Sequence, residues 1–367
     1  MEFYSLDRIL KEKADYNIIV GERSNGKSYA VLEYALKDYF ESGGKHEFAY
    51  IRRWQDDFKG KRGGSIWTPL VDNGLVTKYS GGTWTGVYYY SSRYYFCRYD
   101  DHGNRVVADD PFAYAFSISS LEHDKSTSWP RIVNLCFDEF ITRGMYIGGD
   151  DEFVLFCNVV STIIRYRKDV KIFMLGNTVN QYCPYFAEMG IQEIKDQKQG
   201  TIRVYRYGNS DLKVAVEYCA NSSSKKDSNK YFAFNNPKLE MITGGAWEID
   251  LYPHAPVKWK KADVVFSYFI DFVGDLVQCD VIQKGDLCFT FIHKKTTEIK
   301  DADTALVFCQ DYDPRYNWRR NIEVAPDDLG KKILWFFRND KVFYQDNITG
   351  EIVRNYILWA KSEKMKT

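Results

Sequence analysis

The stretch Gly21-Glu22-Arg23-Ser24-Asn25-Gly26-Lys27-Ser28 fits the pattern G-x-x-x-x-G-K-[ST] at every position. The pattern has a mechanical content. Its glycines let backbone N–H groups turn inward around phosphate, and the helix that follows offers its N-terminus to negative charge. Lys27 is placed to reach the β- and γ-phosphates, and Ser28 to ligate Mg²⁺. The flanks agree. Tyr16 to Val20 is a short apolar run ending in Gly21, and Tyr29 to Phe40 has the spacing of an amphipathic helix. Strand, loop and helix in this order read as a nucleotide site formed by Gly21, Glu22, Arg23, Ser24, Asn25, Gly26, Lys27, Ser28 and Tyr29, with ATP and Mg²⁺ as the expected ligands.

A second element lies downstream. Val133-Asn134-Leu135-Cys136-Phe137 reads as a buried strand that ends in Asp138-Glu139. Asp138 would emerge beside the phosphate loop to hold the Mg²⁺ shell, and Glu139 to polarise an attacking water as general base. Small-molecule kinases shut water out and usually lack the second carboxylate. The pair therefore points to an ATPase that does mechanical work. The next apolar strand, Lys171 to Leu175, leads to Asn177, whose amide is placed to touch the γ-phosphate or the water. Arg23 within the loop is a candidate in cis. Arg165 and Arg167, at the end of a helical pattern over 150–167, are candidates for an arginine that enters a neighbouring subunit's site. The alternative for both is a cation placed favourably at a helix C-terminus.

Composition bounds the rest. The chain has 367 residues, more than one hydrophobic core usually holds, so two domains are expected. Aromatic residues make up 17%, with 28 Tyr and 24 Phe, which favours β-structure. Lys+Arg and Asp+Glu are both 50, so any nucleic-acid contact must come from a local patch rather than from net charge. Eight cysteines form no C-x-x-C pair and sit in apolar contexts, as reduced buried thiols do. The N-terminus is charged and no apolar run is long enough to cross a bilayer.

Further strands are expected at Phe48–Ile51, Val87–Tyr90, Arg93–Arg98 and Thr201–Tyr205. The Tyr-rich, Gly-punctuated stretch from about 60 to 119 reads as a β-rich insertion. The polar run Asn221 to Lys230 reads as a linker. The expected organisation is an ATPase domain over 1–207, a linker over 208–232 and a C-terminal domain over 233–367, with strands at Val264–Phe272, Leu276–Ile282 and Leu287–His293.

Several segments together resemble the DNA-packaging (encapsidation) ATPases of phi29-like tailed phages, compact relatives of the large terminase subunits. They are Asp7-Arg8-Ile9-Leu10, the loop with Arg23 and Lys27-Ser28-Tyr29-Ala30, Tyr50-Ile51-Arg52-Arg53, Phe137-Asp138-Glu139-Phe140-Ile141, Arg165-Tyr166-Arg167, and Gly176-Asn177 followed by Pro184-Tyr185-Phe186. They recur in the family's order and at similar spacing, and together cover roughly the first 190 residues, about the size of one domain. The resemblance implies an α/β P-loop NTPase (ASCE) domain with a central, mostly parallel sheet and a β-rich insertion. A smaller α+β RNase H-like domain, a degenerate nuclease, would follow it. It implies an ATP-driven motor that moves double-stranded DNA into a preformed procapsid, as a homo-oligomeric ring, usually a pentamer, on the portal. A packaging RNA is a further implied partner. The implied place is the host cytoplasm at the portal vertex, outside the mature virion. It makes Arg165 the favoured trans-acting finger ahead of Arg167. It places Lys125 where the family has a basic residue acting in trans, and Arg52 and Arg53 where a basic stretch faces DNA. The family has a lysine shortly after these arginines, where this chain has Trp54-Gln55.

For the C-terminal domain the available carboxylates are Asp263, Asp271, Asp275, Asp280 and Asp286, most of which fit hairpin turns; a domain that grips rather than cuts is expected. Trp259-Lys260-Lys261 and Trp318-Arg319-Arg320 are its candidate contacts, or surface packing. The competing readings are another ATP-driven nucleic-acid translocase or helicase, an ATP-binding assembly switch and, more distantly, a small-molecule kinase.

Overall fold

A computed structural model describes residues 4–123, 128–147, 151–220, 247–324 and 327–364. The chain forms two compact units. The first is built on a ten-stranded sheet. Its strands are β1 (Tyr16–Gly21), β2 (Glu47–Arg52), β3 (Gly86–Tyr90), β4 (Arg93–Tyr99), β5 (Arg105–Val107), β6 (Ala113–Ser117), β7 (Ile132–Asp138), β8 (Lys171–Asn177), β9 (Thr201–Arg206) and β10 (Lys213–Tyr218). Their order is β3-β4-β6-β2-β7-β8-β1-β10-β9, with β5 beside β4. The run from β6 to β10 is parallel throughout, and antiparallel strands close both margins.

Parallel strands are covered on both faces and so read as unbroken apolar runs. All seven residues of β7 are buried. Neighbours along it face opposite sides: Cys136 joins the core under the helix Lys27–Glu41, whereas the Phe137 ring stacks on Phe156, at 5.1 Å, in the helix Asp151–Ile164. The first of these helices buries Val31, Leu32, Ala35 and Leu36, a stripe at helical spacing. The second stops at Ile164 rather than at 167, where Arg165 takes φ 52°, a left-handed conformation that ends the helical turn.

The insertion carries the expected strands and, ahead of them, helices that the sequence reading did not include. Three short helices, Lys61–Gly64, Thr68–Asp72 and Leu75–Tyr79, precede β3 to β6. They are anchored by Trp67, fully buried, whose ring meets Phe112 at 4.8 Å; Phe112 in turn stacks on Phe96 at 4.0 Å. Much of the high aromatic content is this plug. The stretch expected as linker, 208–232, contributes β10 beside β1, so the first sheet runs past residue 207; residues 221–232 lie outside the described ones.

The second unit holds a six-stranded sheet of β11 (Val264–Phe272), β12 (Asp275–Lys284), β13 (Leu287–Lys294), β14 (Val307–Cys309), β15 (Trp318–Arg319) and β16 (Val342–Tyr344), in the order β15-β14-β11-β12-β13-β16. β11 to β13 form an antiparallel meander, with β14, β15 and β16 added in parallel. Helices Asp328–Arg338 and Asn347–Lys364 cover one face through Ile333, Ile352, Tyr356 and Trp359, so the Trp- and Phe-rich tail is helical. None of the eight cysteines is disulfide-bonded, and among the described residues no helix is long and apolar enough to cross a membrane.

Candidate active site

The C-terminal ends of β1, β7 and β8 lie side by side because the chain runs parallel through them, with β8 between the other two. Each end delivers one part of the site. After β1 the loop turns through Ser24 at φ 58° and Gly26 at φ 92° before the helix begins at Lys27. Gly21 sits so close to its neighbour that an added Cβ would lie 2.8 Å from the Cβ of Cys219. Lys27 is 5% exposed, and its ammonium donates to the carbonyls of Glu22 at 2.6 Å and Gly21 at 3.5 Å. It donates also to the side-chain oxygens of Asn25 at 3.2 Å and Asn177 at 3.3 Å. The lysine thus joins the loop to the tip of β8. Arg23 and Ser24 are exposed on the loop, whereas Glu22 and Asn25 are buried.

β7 ends in Asp138, buried, and Glu139, whose side chain is 59% exposed and whose φ is 62°. That positive φ swings Glu139 out of the strand direction. Asp138 accepts a short hydrogen bond from the Tyr50 hydroxyl. Burial and then the adjacent Asp138 carboxylate push the Tyr50 phenol well up, so it stays a donor. Arg52 spans the acid pair: one nitrogen donates to Asp138 at 3.2 Å, the other to Glu139 at 2.6 Å. Neighbouring Arg53 is 7% exposed and meets the fully buried Glu152 with its Nε at 2.9 and 3.0 Å from the two carboxylate oxygens. It also donates to the carbonyls of Glu139 at 3.1 Å and Phe140 at 2.7 Å. Arg52 and Arg53 therefore do not form the DNA-facing basic stretch expected of them: their charges are committed to the acid pair and to the turn that carries it.

Ser28, Tyr29, Tyr50, Arg52, Asp138 and Glu139 line one open cavity of about 410 Å³, together with Asp57, Arg62, Ser65, Ile66 and Pro69 of the insertion. The oxygens of Ser28 and Asp138 facing one space are a hard donor set that suits Mg²⁺, which takes one or two protein oxygens and completes its shell with water and phosphate. The placement of Tyr50, Arg52 and Arg62 here was not read from sequence. Tyr50 and Arg52 follow each other at i, i+2 at the end of an apolar strand, and that alternation was the available signal.

The two arginines after the helix Asp151–Ile164 differ. Arg167 donates to four carbonyls, those of Trp129, Pro130, Ile163 and Ile164, at 3.0–3.3 Å, and so ties the helix end to the segment before β7. Arg165 is exposed, beside a fully exposed Tyr166. Lys125 lies outside the described residues.

In the second unit the five aspartates do not converge. Asp263 caps a short helical turn through the Lys260 N–H, and Asp286 sits in the turn between β12 and β13. Asp275 accepts from the Tyr182 hydroxyl at 3.1 Å, and Asp280 from Ser267, Gln278 and His293. Burial, with Asp311 and Asp275 nearby, raises Asp271 above the usual carboxylate range. Among the described residues no group of three or more His, Cys, Asp or Glu side chains is placed to hold a metal ion. Arg319 and Arg320 pair with Asp327 and Glu363, and Trp318 donates to the Ala302 carbonyl, so this triplet packs the domain.

Comparison with known proteins bears out the resemblance. A family model described as Podovirus DNA encapsidation protein (Gp16) matches residues 91–207. The DNA packaging protein of Bacillus phage phi29 is 26% identical over 190 residues, which cover 50% of this chain and 49% of that protein. The chain spans about half the length of the curated relatives it matches. Among solved structures, the Phi-28 gp11 DNA packaging motor aligns over 98% of both chains with a TM-score of 0.54 at 18% identity. The packaging motor assembly of bacteriophage Phi-29 aligns over 98% of this chain and 99% of its own, with a TM-score of 0.53 at 19% identity. At these identities the structures speak for the fold, and the α/β architecture with its mixed, largely parallel sheet is theirs.

Proposed function

We propose that this chain is an ATP-hydrolysing motor subunit that moves double-stranded DNA into a phage procapsid. The observation that carries the reading is the cavity shared by Ser28, Asp138 and Glu139, with Lys27 bridged to Asn177 at its side. The order β7-β8-β1 supports it: the loop strand and the acid strand end at the same edge of the sheet, with Asn177 at the tip of β8 between them. The likeness to a podoviral DNA encapsidation protein and to DNA packaging proteins supports DNA as the track and a capsid as its destination.

In this mechanism Lys27 leaves the loop carbonyls for the phosphates of ATP, and Asn177 is released from it to face the γ-phosphate. Ser28 and Asp138 would hold Mg²⁺, which neutralises charge on the phosphates. Glu139 takes a proton from the attacking water while its ion pair with Arg52 fixes the direction of the carboxylate. Arg23 remains the candidate in cis. Arg165, exposed beyond a helix end that Arg167 pins, is the finger offered to the next subunit of a ring, and Lys125 a second trans-acting cation. A pentameric ring at the portal, a packaging RNA and action in the infected host belong to the same proposal. The meander of β11 to β13, extended by parallel β14 and β15, supports an RNase H-like second unit. Its aspartates serve turns and hydrogen bonds, which favours gripping over cutting.

The test is ATP hydrolysis by purified protein with and without double-stranded DNA, for wild type, Glu139→Gln and Arg165→Ala. The proposal expects stimulation by duplex, loss of about 10²- to 10⁴-fold in Glu139→Gln, and rescue of Arg165→Ala by subunits with an intact finger and a dead site. Stimulation by single strands alone, or no turnover, would overturn it.

A further inference from the structure

The insertion ends in a small antiparallel sheet with an unusual outer face. Tyr88 lies opposite Tyr95, Tyr90 opposite Arg93, and Tyr99 opposite Arg105. Directly opposed residues, and those two apart along a strand, share a face. Tyr88, Tyr90, Arg93, Tyr95, Tyr99 and Arg105 therefore stand together. The reverse side of the same strands holds Val87, Tyr89, Tyr94 and Phe96, all packed into the core, so the register cannot slip without burying the arginines. The turn that joins β3 to β4 is Ser91-Ser92, with φ 47° and 59°, a two-residue turn of the hand that keeps paired strands twisted together.

The outer face is open. Tyr90 is 64% and Tyr99 60% exposed, and both arginines are exposed. The Tyr88 and Tyr90 rings are parallel to within 7°, with centroids 6.3 Å apart. Arg105 reaches across the small Cys97 to lie 4.8 Å from the Tyr88 centroid and 5.8 Å from that of Tyr99, and donates to the Tyr99 hydroxyl at 3.3 Å. Among the described residues neither Arg93 nor Arg105 is in an ion pair, whereas Arg315, Arg319 and Arg320 of the second unit each have a carboxylate partner. Asp100, at the end of β4, is committed to its own turn through the N–H groups of His102 and Asn104.

The exposed rings of Tyr90 and Tyr99, interleaved with guanidinium groups that lack counter-ions, make a surface on which bases stack and phosphates are neutralised. We infer that this face binds unpaired nucleotides of a single-stranded nucleic acid, with bases on Tyr90 and Tyr99 and phosphates at Arg93 and Arg105. A duplex offers no free base faces, so the site discriminates against it. A second copy of the same face would set arginine against arginine, which argues against self-pairing. The inference rests on this face alone and not on the hydrolytic site.

The experiment is fluorescence anisotropy on the full chain with labelled oligo(dT) and oligo(U) of about twelve nucleotides, within the span such platforms cover, and a duplex of equal length as competitor. Wild type should bind the single strands, and Tyr90→Ala and Tyr99→Ala should each weaken binding about ten-fold, with Tyr90→Phe close to wild type. Arg93→Ala should weaken binding and flatten its salt dependence. All these side chains are exposed, and ATP turnover without nucleic acid should be unchanged in each variant, which separates failure here from failure of the ATPase reading. Tighter binding of oligo(U) than of oligo(dT), or the reverse, supports the site and says which strand it serves. Equal competition by the duplex, indifference to both tyrosine truncations, or an oligomer that dissociates on Tyr90→Ala would overturn the inference.

Discussion

Arg52 holds Glu139 by a 2.6 Å ion pair while its other terminal nitrogen rests on Asp138, so one guanidinium bridges the two acids of the proposed site. A carboxylate so held is fixed in direction. Lysine retains the charge but not the fork. Arg52→Lys should lower kcat by about ten- to a hundred-fold, the scale set by misplacing a catalytic group by about 1 Å, with the melting temperature and nucleotide affinity near wild type. Steady-state kinetics with a parallel nucleotide titration would check it; an unchanged kcat would remove Arg52 from the positioning of Glu139.

Arg53 and Glu152 are both buried, and Arg53 also supports the backbone of Glu139 and Phe140. Removing one partner leaves a buried charge without compensation, which costs about 3–5 kcal/mol. Glu152→Gln is expected to destabilise the first unit on that scale in denaturant unfolding. Arg53→Met with Glu152→Leu together should recover part of the stability but not the turnover, because the two carbonyls of the acid turn remain unsupported.

Arg165 and Arg167 should separate cleanly. Arg167→Ala removes bonds to four carbonyls and is expected to lower stability by about 1–3 kcal/mol. Arg165→Ala should leave thermal unfolding unchanged within about 0.5 kcal/mol, as exposed substitutions do, while reducing turnover of the assembled protein. A melt beside an activity assay distinguishes the two.

Arg62 lines the cavity from the insertion side and is exposed. A cation there attracts the nucleotide in ground and transition states alike, so Arg62→Ala should raise KM several-fold with kcat little changed, the signature of lost uniform binding. A fall in kcat at unchanged KM would contradict that role.

His293 donates to Asp280, a bond that raises the imidazole above its usual value; Asp280 is held below the carboxylate range by His293, Gln278 and Ser267 in spite of its burial. A raised histidine contributes stability fully below its unfolded value of about 6.5 and loses it as pH rises through the folded one. The depressed aspartate contributes above about 3.9 and loses its share as pH falls through its folded value. The second unit should therefore weaken as pH rises above about 6.5, and His293→Gln should flatten that slope in denaturant titrations.

What the sequence revealed follows from how each part is encoded. The loop from Gly21 to Ser28 and the pair Asp138-Glu139 are contiguous and sit at the ends of doubly covered strands, so apolar runs and a motif locate them. Arg53 looked like a free cation because nothing local records Glu152, ninety-nine positions away, as its partner. The short helices between 61 and 79 were hidden because they are held by Trp67 and Phe112 rather than by periodicity of their own. β10 was missed because it follows a polar turn and owes its place to pairing with β1 across nearly two hundred residues.

The strand that separates β1 from β7 sets a length. Neighbouring strands lie about 4.8 Å apart, so the ends of β1 and β7 stand on the order of 10 Å from each other across the tip of β8. A group that serves both ends has to reach over the tip of β8, and Lys27 already leans that way through Asn177. The sheet is in effect a spacer: it keeps the lysine and the acid pair from neutralising each other directly, so both charges stay available to whatever occupies the space between them.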